Sequence, residues 1–279
     1  MDAMILAAGL GTRLRPLTDE CAKALVPVGD RSVLEHVVDA LQGFDRIAVN
    51  AHHRAHEIEE AARARGAACS IEAELLGTAG GIAQARHRKI VSGDILVWNA
   101  DMLGAFDAAS LAARHRGLAT LLVVRRPAGQ GNVGIDGEGR IVRLRKESVA
   151  QESAGGDFVG MHVVSETLDL PERGCIVGDV YIPALARRAI YAEYTDVDFI
   201  DVGTLAGYRA ANRAWLAHRG MRAWTGEGAN VSCVLEESIV GAGAEATGEG
   251  ALVRCVVWPG AHARAPLADA VVTRTRTIE

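Results

Sequence analysis

From Ala3 to Val28 the chain reads AMILAAGLGTRLRPLTDECAKALVPV. Its first six residues form an apolar run short enough for a buried strand. The run breaks at once into Gly9-Leu10-Gly11-Thr12-Arg13. Two glycines two apart let the backbone turn sharply and bring its N–H groups onto an anion. Thr12 adds a hydroxyl donor, and Arg13 adds a permanently charged fork that suits phosphate oxygens. Lys23 follows on the same segment, and Pro16 and Pro27 stiffen it by fixing their own φ. Two common phosphate loops are excluded. No Lys follows a glycine at Walker spacing, and Leu14 stands where a dinucleotide fingerprint needs its third glycine.

Downstream periodicity supplies further strands. Ser32 to Leu41 has helical spacing with Ser32 at N-cap position, 45–50 reads as a strand, His53 to Arg65 as a helix, and Ala68 to Ala73 as a strand. Alternating strands and helices predict a parallel sheet with covering helices. Glu74 to Ile82 (ELLGTAGGI) reads as a second glycine-rich loop at the carboxyl edge of that sheet, where open α/β sheets bind ligands. Gly80 and Gly81 there would let a flat base lie on bare backbone. On its own Glu74 reads as a solvated glutamate. Asp94 to Asn99 is a strand that delivers Asp101 to the same edge. Leu118 to Arg125 is another strand, Asn132 to Lys146 a hairpin, and Ile176 to Arg188 a helix. His52, His53 and His56 read as solvated surface rather than a metal site.

Taken together these strings resemble the signature of the sugar-1-phosphate nucleotidyltransferases, the nucleotide-sugar pyrophosphorylases. The matching residues are Gly9, Gly11, Thr12, Arg13, Leu14, Pro16, Leu17 and Thr18, then Lys23, Leu25 and Pro27. Leu76-Gly77-Thr78-Ala79-Gly80 resembles the family's base-side motif, Asn99-Ala100-Asp101 its metal motif, and Phe199-Ile200-Asp201-Val202-Gly203-Thr204 its second metal motif, with Phe199 where Trp is usual.

The resemblance implies an α/β nucleotidyltransferase fold, a Rossmann-like mixed sheet with helices on both faces. It also implies an NTP and a sugar 1-phosphate as substrates and Mg²⁺ as cofactor. Arg13 and Lys23 would be the catalytic cations. Ala8, Gly9, Gly11, Thr12, Glu74, Gly80 and Gly81 would hold the nucleotide. Gly134, Lys146 and Gly160 would line the sugar pocket, and Asp101 and Asp201 would hold the metal. Lys146-Glu147 reverses the usual Glu-Lys order, which displaces the expected phosphate-binding cation by one position. The mannose-1-phosphate guanylyltransferase-like reading leads. A uridylyltransferase acting on an amino-sugar 1-phosphate such as N-acetylmuramate 1-phosphate, and a non-catalytic sugar-nucleotide-sensing subunit, stand beside it.

From about Gly226 the texture changes to short apolar pairs separated by glycine and alanine, as in SIVGAGA and CVVWPGA. Steps of about six residues predict coils of a parallel β-helix. The segment resembles the left-handed β-helix tails of some members of this family, and the resemblance implies two domains: 1–224, the nucleotidyltransferase domain, and 225–279, a left-handed β-helix-like tail that packs or makes a homo-oligomer contact. With 279 residues and a net charge of −5, no basic field exists to attract nucleic acid or an acidic membrane. Five cysteines without C-x-x-C spacing predict reduced thiols, and the absence of a basic leader or a long apolar run predicts a cytoplasmic chain.

Overall fold

A computed structural model describes all 279 residues. The chain divides into two compact units, one built from Met1–Leu10 and Leu34–Phe199, the other from Gly11–Val33 and Ile200–Glu279.

The first unit is a ten-stranded mixed sheet with helices. In chain order its elements are β1 (Asp2–Leu6), α1 (Val33–Ala40, whose first residue belongs to the other unit), β2 (Ile47–Ala51), α2 (Ala55–Ala64), β3 (Ala68–Ile71) and α3 (Gly77–His87). Then follow β4 (Ile95–Asn99), α4 (Ala108–Ala113), β5 (Ala119–Arg126), β6 (Val133–Ile135), β7 (Ile141–Leu144), β8 (Glu147–Ser148), β9 (Ala154–Val164) and β10 (Ile190–Thr195). The strand order is β8-β7-β6-β9-β4-β1-β2-β3, with β5 on β9 and β10 on β5. β4, β1, β2 and β3 run parallel, as the alternating pattern predicts. β9 runs antiparallel to β4, β5 and β6 and makes the sheet mixed. The inner parallel strands β4, β1 and β2 are buried on both faces, with Met4, Ala48 and Val97 in the core alongside Ile82 and Ala85 of α3, whereas the edge strand β3 is only partly buried. Burial on both sides is what a strand covered by crossover helices requires.

Two expected elements take a different form. The second glycine-rich stretch is not a loop: α3 begins at Gly77, and Gly80 and Gly81 lie in its buried first turns. The expected helix over 176–188 is broken into a π turn, Ile176–Tyr181, one α turn, Ile182–Ala184, and a 3₁₀ turn, Leu185–Arg187. Pro183 supplies no N–H and tolerates only the start of a helix, so no single α-helix runs through it.

The second unit joins three 3₁₀ turns, Thr12–Leu14, Leu17–Asp19 and Lys23–Leu25, to helix α5 (Leu205–His218) and the C-terminal coils. The coils stack in parallel. Ser238–Val240 lies on Ala223–Thr225, and Val256–Val257 lies between Ser238–Val240 and Val271–Val272. Glu245–Val253 pairs on one side with Asn230–Val231 and Val234–Glu236 and on the other with His262–Ala268. The glycine-alanine texture has a steric reason. Ala244, Ala246, Ala261 and Ala270 are fully buried in the narrow interior, where a larger side chain would force the coil open.

Candidate active site

In the first unit the carboxyl ends of β1, β2, β3 and β4 converge on one edge, because the four strands are parallel. β1 leaves the sheet through buried Ala7 and Ala8 into exposed Gly9. β4 leaves through Ala100, whose N–H donates to Leu6 O at 3.1 Å, and so sets Asp101 beside the β1 exit. Trp98 Nε1 donates to Met102 O at 2.8 Å and fixes the turn that carries Asp101.

A buried polar relay ties this edge together. Asn50, at the end of β2, accepts from Ala7 N at 2.7 Å and donates to Glu72 Oε1 at 2.6 Å. Glu72 Oε2 in turn accepts from Leu76 N at 3.0 Å, one residue before α3. Both side chains are nearly inaccessible, 3% and 2%. Hydrogen bonding of this kind is the condition for burying an amide and a carboxylate. Sequence reasoning missed both residues and chose Glu74. Glu74 instead extends into solvent, 74% exposed, and pairs with Arg173. The buried carboxylate at this edge is that of Glu72.

The glycines of α3 are used by the protein itself. A Cβ on Gly80 would stand 2.4 Å from Glu172 O, and one on Gly81 2.6 Å from Asn50 Nδ2. The segment 172–176 lies over the helix start, with Gly174 O accepting from Ala79 N at 2.9 Å and Thr78 Oγ1 accepting from Ile176 N at 2.7 Å. The bare backbone expected to face a base is thus covered at Gly80 by chain and at Gly81 by the Asn50–Glu72 relay.

The three sugar-side candidates separate. Gly160, at φ +79°, makes the irregularity in β9, and a Cβ there would meet Asn99 Nδ2 and Met102 Cγ at 2.9 Å. It therefore lies against the β4 exit that carries Asp101. Gly134 is buried in β6 between Gly155 and Arg143, and its open side is filled by the Glu152 carboxylate. The Arg143 hydrogen bond, 2.6 Å from Nε to Oε2, holds that carboxyl below its usual range. Lys146 is exposed in the turn between β7 and β8, after Arg145 at φ +57°.

In the second unit Arg13, Lys23 and Asp201 gather around Gly203. A Cβ on Gly203 would stand 2.6 Å from Asp201 Oδ1, 2.8 Å from Lys23 Nζ and 3.0 Å from Arg13 Nη2. Gly203 N donates to Asp201 Oδ1 at 2.7 Å, while Arg13 Nη1 stays 3.7 Å from Asp201 Oδ2. Thr204 then caps α5, its hydroxyl accepting from Gly207 N at 3.1 Å. Gly11, at φ +66°, starts the first 3₁₀ turn, and a Cβ there would press on Thr18 Cγ2 at 2.7 Å and Lys23 Cβ at 3.0 Å. Thr18 Oγ1 donates to Gly11 O at 2.9 Å and locks the turn. Two cations and one carboxylate around a glycine make a partly exposed group of net positive charge, the chemistry that suits phosphate oxygens. Thr12 is exposed on the same turn.

The chain belongs to the nucleotidyl transferase family, whose profile matches residues 2–217. It is 28% identical over 227 residues to the D-glycero-alpha-D-manno-heptose 1-phosphate guanylyltransferase of Aneurinibacillus thermoaerophilus, covering 76% of this chain and 97% of that one. It is 29% identical over 252 residues to the UTP–glucose-1-phosphate uridylyltransferase of Synechocystis sp., covering 79% of this chain but only 63% of that protein. A shorter match, 46% identical over 67 residues, joins 23% of this chain to 28% of the N-acetylmuramate alpha-1-phosphate uridylyltransferase of Caulobacter vibrioides. Among solved structures, HddC from Yersinia pseudotuberculosis complexed with GMP-PN superposes with a TM-score of 0.60 at 23% identity, over 77% of this chain and 99% of that one, and so shares the fold.

Proposed function

We propose that this chain transfers a nucleotidyl group from an NTP to a sugar 1-phosphate, releasing pyrophosphate. The observation that carries the reading is the convergence of Arg13 and Lys23 on Asp201 and Gly203 in a chain of this family. A sugar phosphate is already anionic at neutral pH, so no general base is required. Its oxygen forms a bond to the α-phosphorus as the bond from that phosphorus to the β-phosphate oxygen breaks. Such a displacement asks the protein for alignment and charge neutralisation. Arg13 would neutralise the departing pyrophosphate, Lys23 the reacting phosphates, and the Gly9–Thr12 backbone would cradle the triphosphate.

The donor set suits Mg²⁺, a hard cation that takes one or two carboxylates and completes its shell with phosphate oxygens and water. No cluster of three or more His, Cys, Asp or Glu side chains offers an all-protein cage instead. Asp101 and Asp201 would hold the ion. When bound, Mg²⁺ supplies charge neutralisation across the phosphates.

The leading finer reading is guanylyl transfer to a manno-configured sugar 1-phosphate. It is supported by the relative whose name is a D-glycero-alpha-D-manno-heptose 1-phosphate guanylyltransferase. Uridylyl transfer to N-acetylmuramate 1-phosphate is the second reading, favoured by the 46% identical stretch. Pyrophosphate release with Mg²⁺, crossing four NTPs with a panel of sugar 1-phosphates, tests both. Release with GTP and mannose or manno-heptose 1-phosphate is the expected result. Release with UTP and N-acetylmuramate 1-phosphate selects the second reading. Silence across the panel with NTP binding retained moves weight to an unusual sugar 1-phosphate or to a sensing subunit.

A further inference from the structure

Glu20 lies on the segment that carries Arg13 and Lys23, and the C-terminal hairpin ends on its carboxylate. Val271–Val272 and Thr277–Ile278 pair antiparallel, and Thr273 N donates to Arg276 O at 2.8 Å to close the turn between them. From that turn the hydroxyls of Thr273 and Thr275 both donate to Glu20 Oε1, the second at 2.5 Å. The Arg276 guanidinium lies 3.8 Å from the same oxygen and 3.6 Å from Asp19 Oδ2. Thr273 is buried, at 3% exposure, and the Glu20 side chain is 14% exposed, so this is a seated contact rather than a surface encounter.

A second tether reaches the other end of the segment. Trp258 Nε1 of the coils donates to Tyr208 Oη at 2.8 Å, and that hydroxyl donates to Pro27 O at 2.7 Å. Gly29 N donates to Asn212 Oδ1 at 3.0 Å, and Arg209 of the same helix binds Ile278 O at 3.1 Å. The Lys23–Leu25 turn therefore lies between a contact at Glu20 and a contact at Pro27, both traceable to the coils. Isolated 3₁₀ turns hold their geometry poorly on their own. External anchors at both ends remove that freedom before a ligand arrives, which is how preorganisation raises affinity.

We infer that the C-terminal hairpin is a positioning element for the phosphate-binding segment, with Glu20 as its receiving residue. Thr273 and Thr275 hold Glu20, Glu20 holds the turn that aims Lys23, and the tail thereby sets affinity for the polyphosphate of the NTP. The inference rests on the proposed role of Arg13 and Lys23 as phosphate ligands.

The test compares the double variant Thr273→Val/Thr275→Val with Thr273→Ser/Thr275→Ser, which keeps both hydroxyls. The measured quantities are KM for the NTP, kcat, and amide hydrogen exchange. The valine pair should raise KM about ten-fold, the scale expected for losing hydrogen bonds to a charged group, with a smaller change in kcat. Exchange should quicken in residues 11–28 while Ile95–Asn99 keeps its protection, and the serine pair should restore both readouts. A KM within about two-fold of wild type, or unchanged exchange in 11–28, overturns the inference. Exchange that quickens throughout the chain, or that serine does not restore, assigns the hairpin a purely structural role and also overturns it. Should the valine pair fail to fold, Glu20→Ala, which removes the accepting oxygens, is measured in the same way, and an unchanged KM or unchanged exchange in 11–28 is decisive against. An inactive wild-type chain would defeat the proposed reaction alone, because the exchange measurement reads the tether without turnover.

Discussion

Gly203 is the residue on which the cation site depends. Any Cβ there enters the space shared by Asp201, Lys23 and Arg13, and the two cations can yield only by swinging away from their present aim. Gly203→Ala should lower kcat/KM by at least about ten-fold with little loss of thermal stability, measured by pyrophosphate release and scanning calorimetry. His162 makes a different prediction. It is 1% exposed in β9, stacked on Phe158 and edge-on to Tyr181, and neither ring nitrogen has a hydrogen-bond partner. Burial pushes its pKa down to about 3. The unfolded chain takes up a proton near pH 6.5 that the folded chain refuses, so this contribution to stability is complete above that pH. It is lost as pH falls towards 3, by up to about 1.4 kcal/mol per pH unit. Denaturant unfolding of His162→Leu between pH 6 and 4 should show a flatter pH dependence than wild type by that amount. An equal slope would mean that the ring is protonated in the folded state.

At the scale of elements, what matters is where helices let backbone approach. α5 packs its Trp215 ring directly on Gly29, which sits at φ +64° in the turn between Pro27–Val28 and Arg31–Ser32. A Cβ on Gly29 would fall within 2.1 Å of the indole. Both the backbone conformation and the space exclude a side chain, so Gly29→Ala should destabilise the protein by about 3 kcal/mol or more in chemical denaturation. α3 shows the same device on its buried face. Gly80 accommodates the 172–174 backbone and Gly81 the Asn50–Glu72 relay, so glycines that suggest room for a ligand serve internal packing. The strands β1, β2 and β4 are readable because a strand buried on both faces needs a continuous apolar run. The start of α3 is not, because GTAGG has neither helical periodicity nor good helix propensity, and tertiary packing over 172–176 makes it helical.

At the scale of the molecule, the coils are part of the unit that holds Arg13, Lys23 and Asp201. Trp258 reaches Tyr208, and Trp224 packs edge-on to Trp215 at 5.5 Å between ring centroids. Removing residues 226–279 strips the Tyr208 hydroxyl of its donor and removes Ser238–Val240, the strand that holds Ala223–Thr225 and its Trp224 in place. The midpoint of thermal unfolding should fall by roughly 10 °C or more by circular dichroism. A midpoint unchanged by the deletion would mean that α5 is stable without its cover. The net charge of −5 leaves attraction of an anionic substrate to local cations alone. Its binding should therefore weaken with salt, as screening of half-exposed charges requires.

The sequence by itself determined the parallel core of the sheet, the family and the coil texture of the tail, and it nominated Arg13, Lys23, Asp101 and Asp201 as the charged residues of the proposed site. Apolar periodicity and turn-forming glycines are local properties, and a motif places its charged residues at known distances along the chain. Only the tertiary structure decided which glutamate at the carboxyl edge of the sheet is buried. Glu72 and Glu74 are two residues apart and chemically alike, and nothing local distinguishes them. The Asn50 amide, arriving from a different strand, selects Glu72. Likewise nothing near Glu20 predicts its partners, which lie more than 250 residues away in sequence. Such contacts form because folding brings distant backbone together and a buried carboxylate must then find donors.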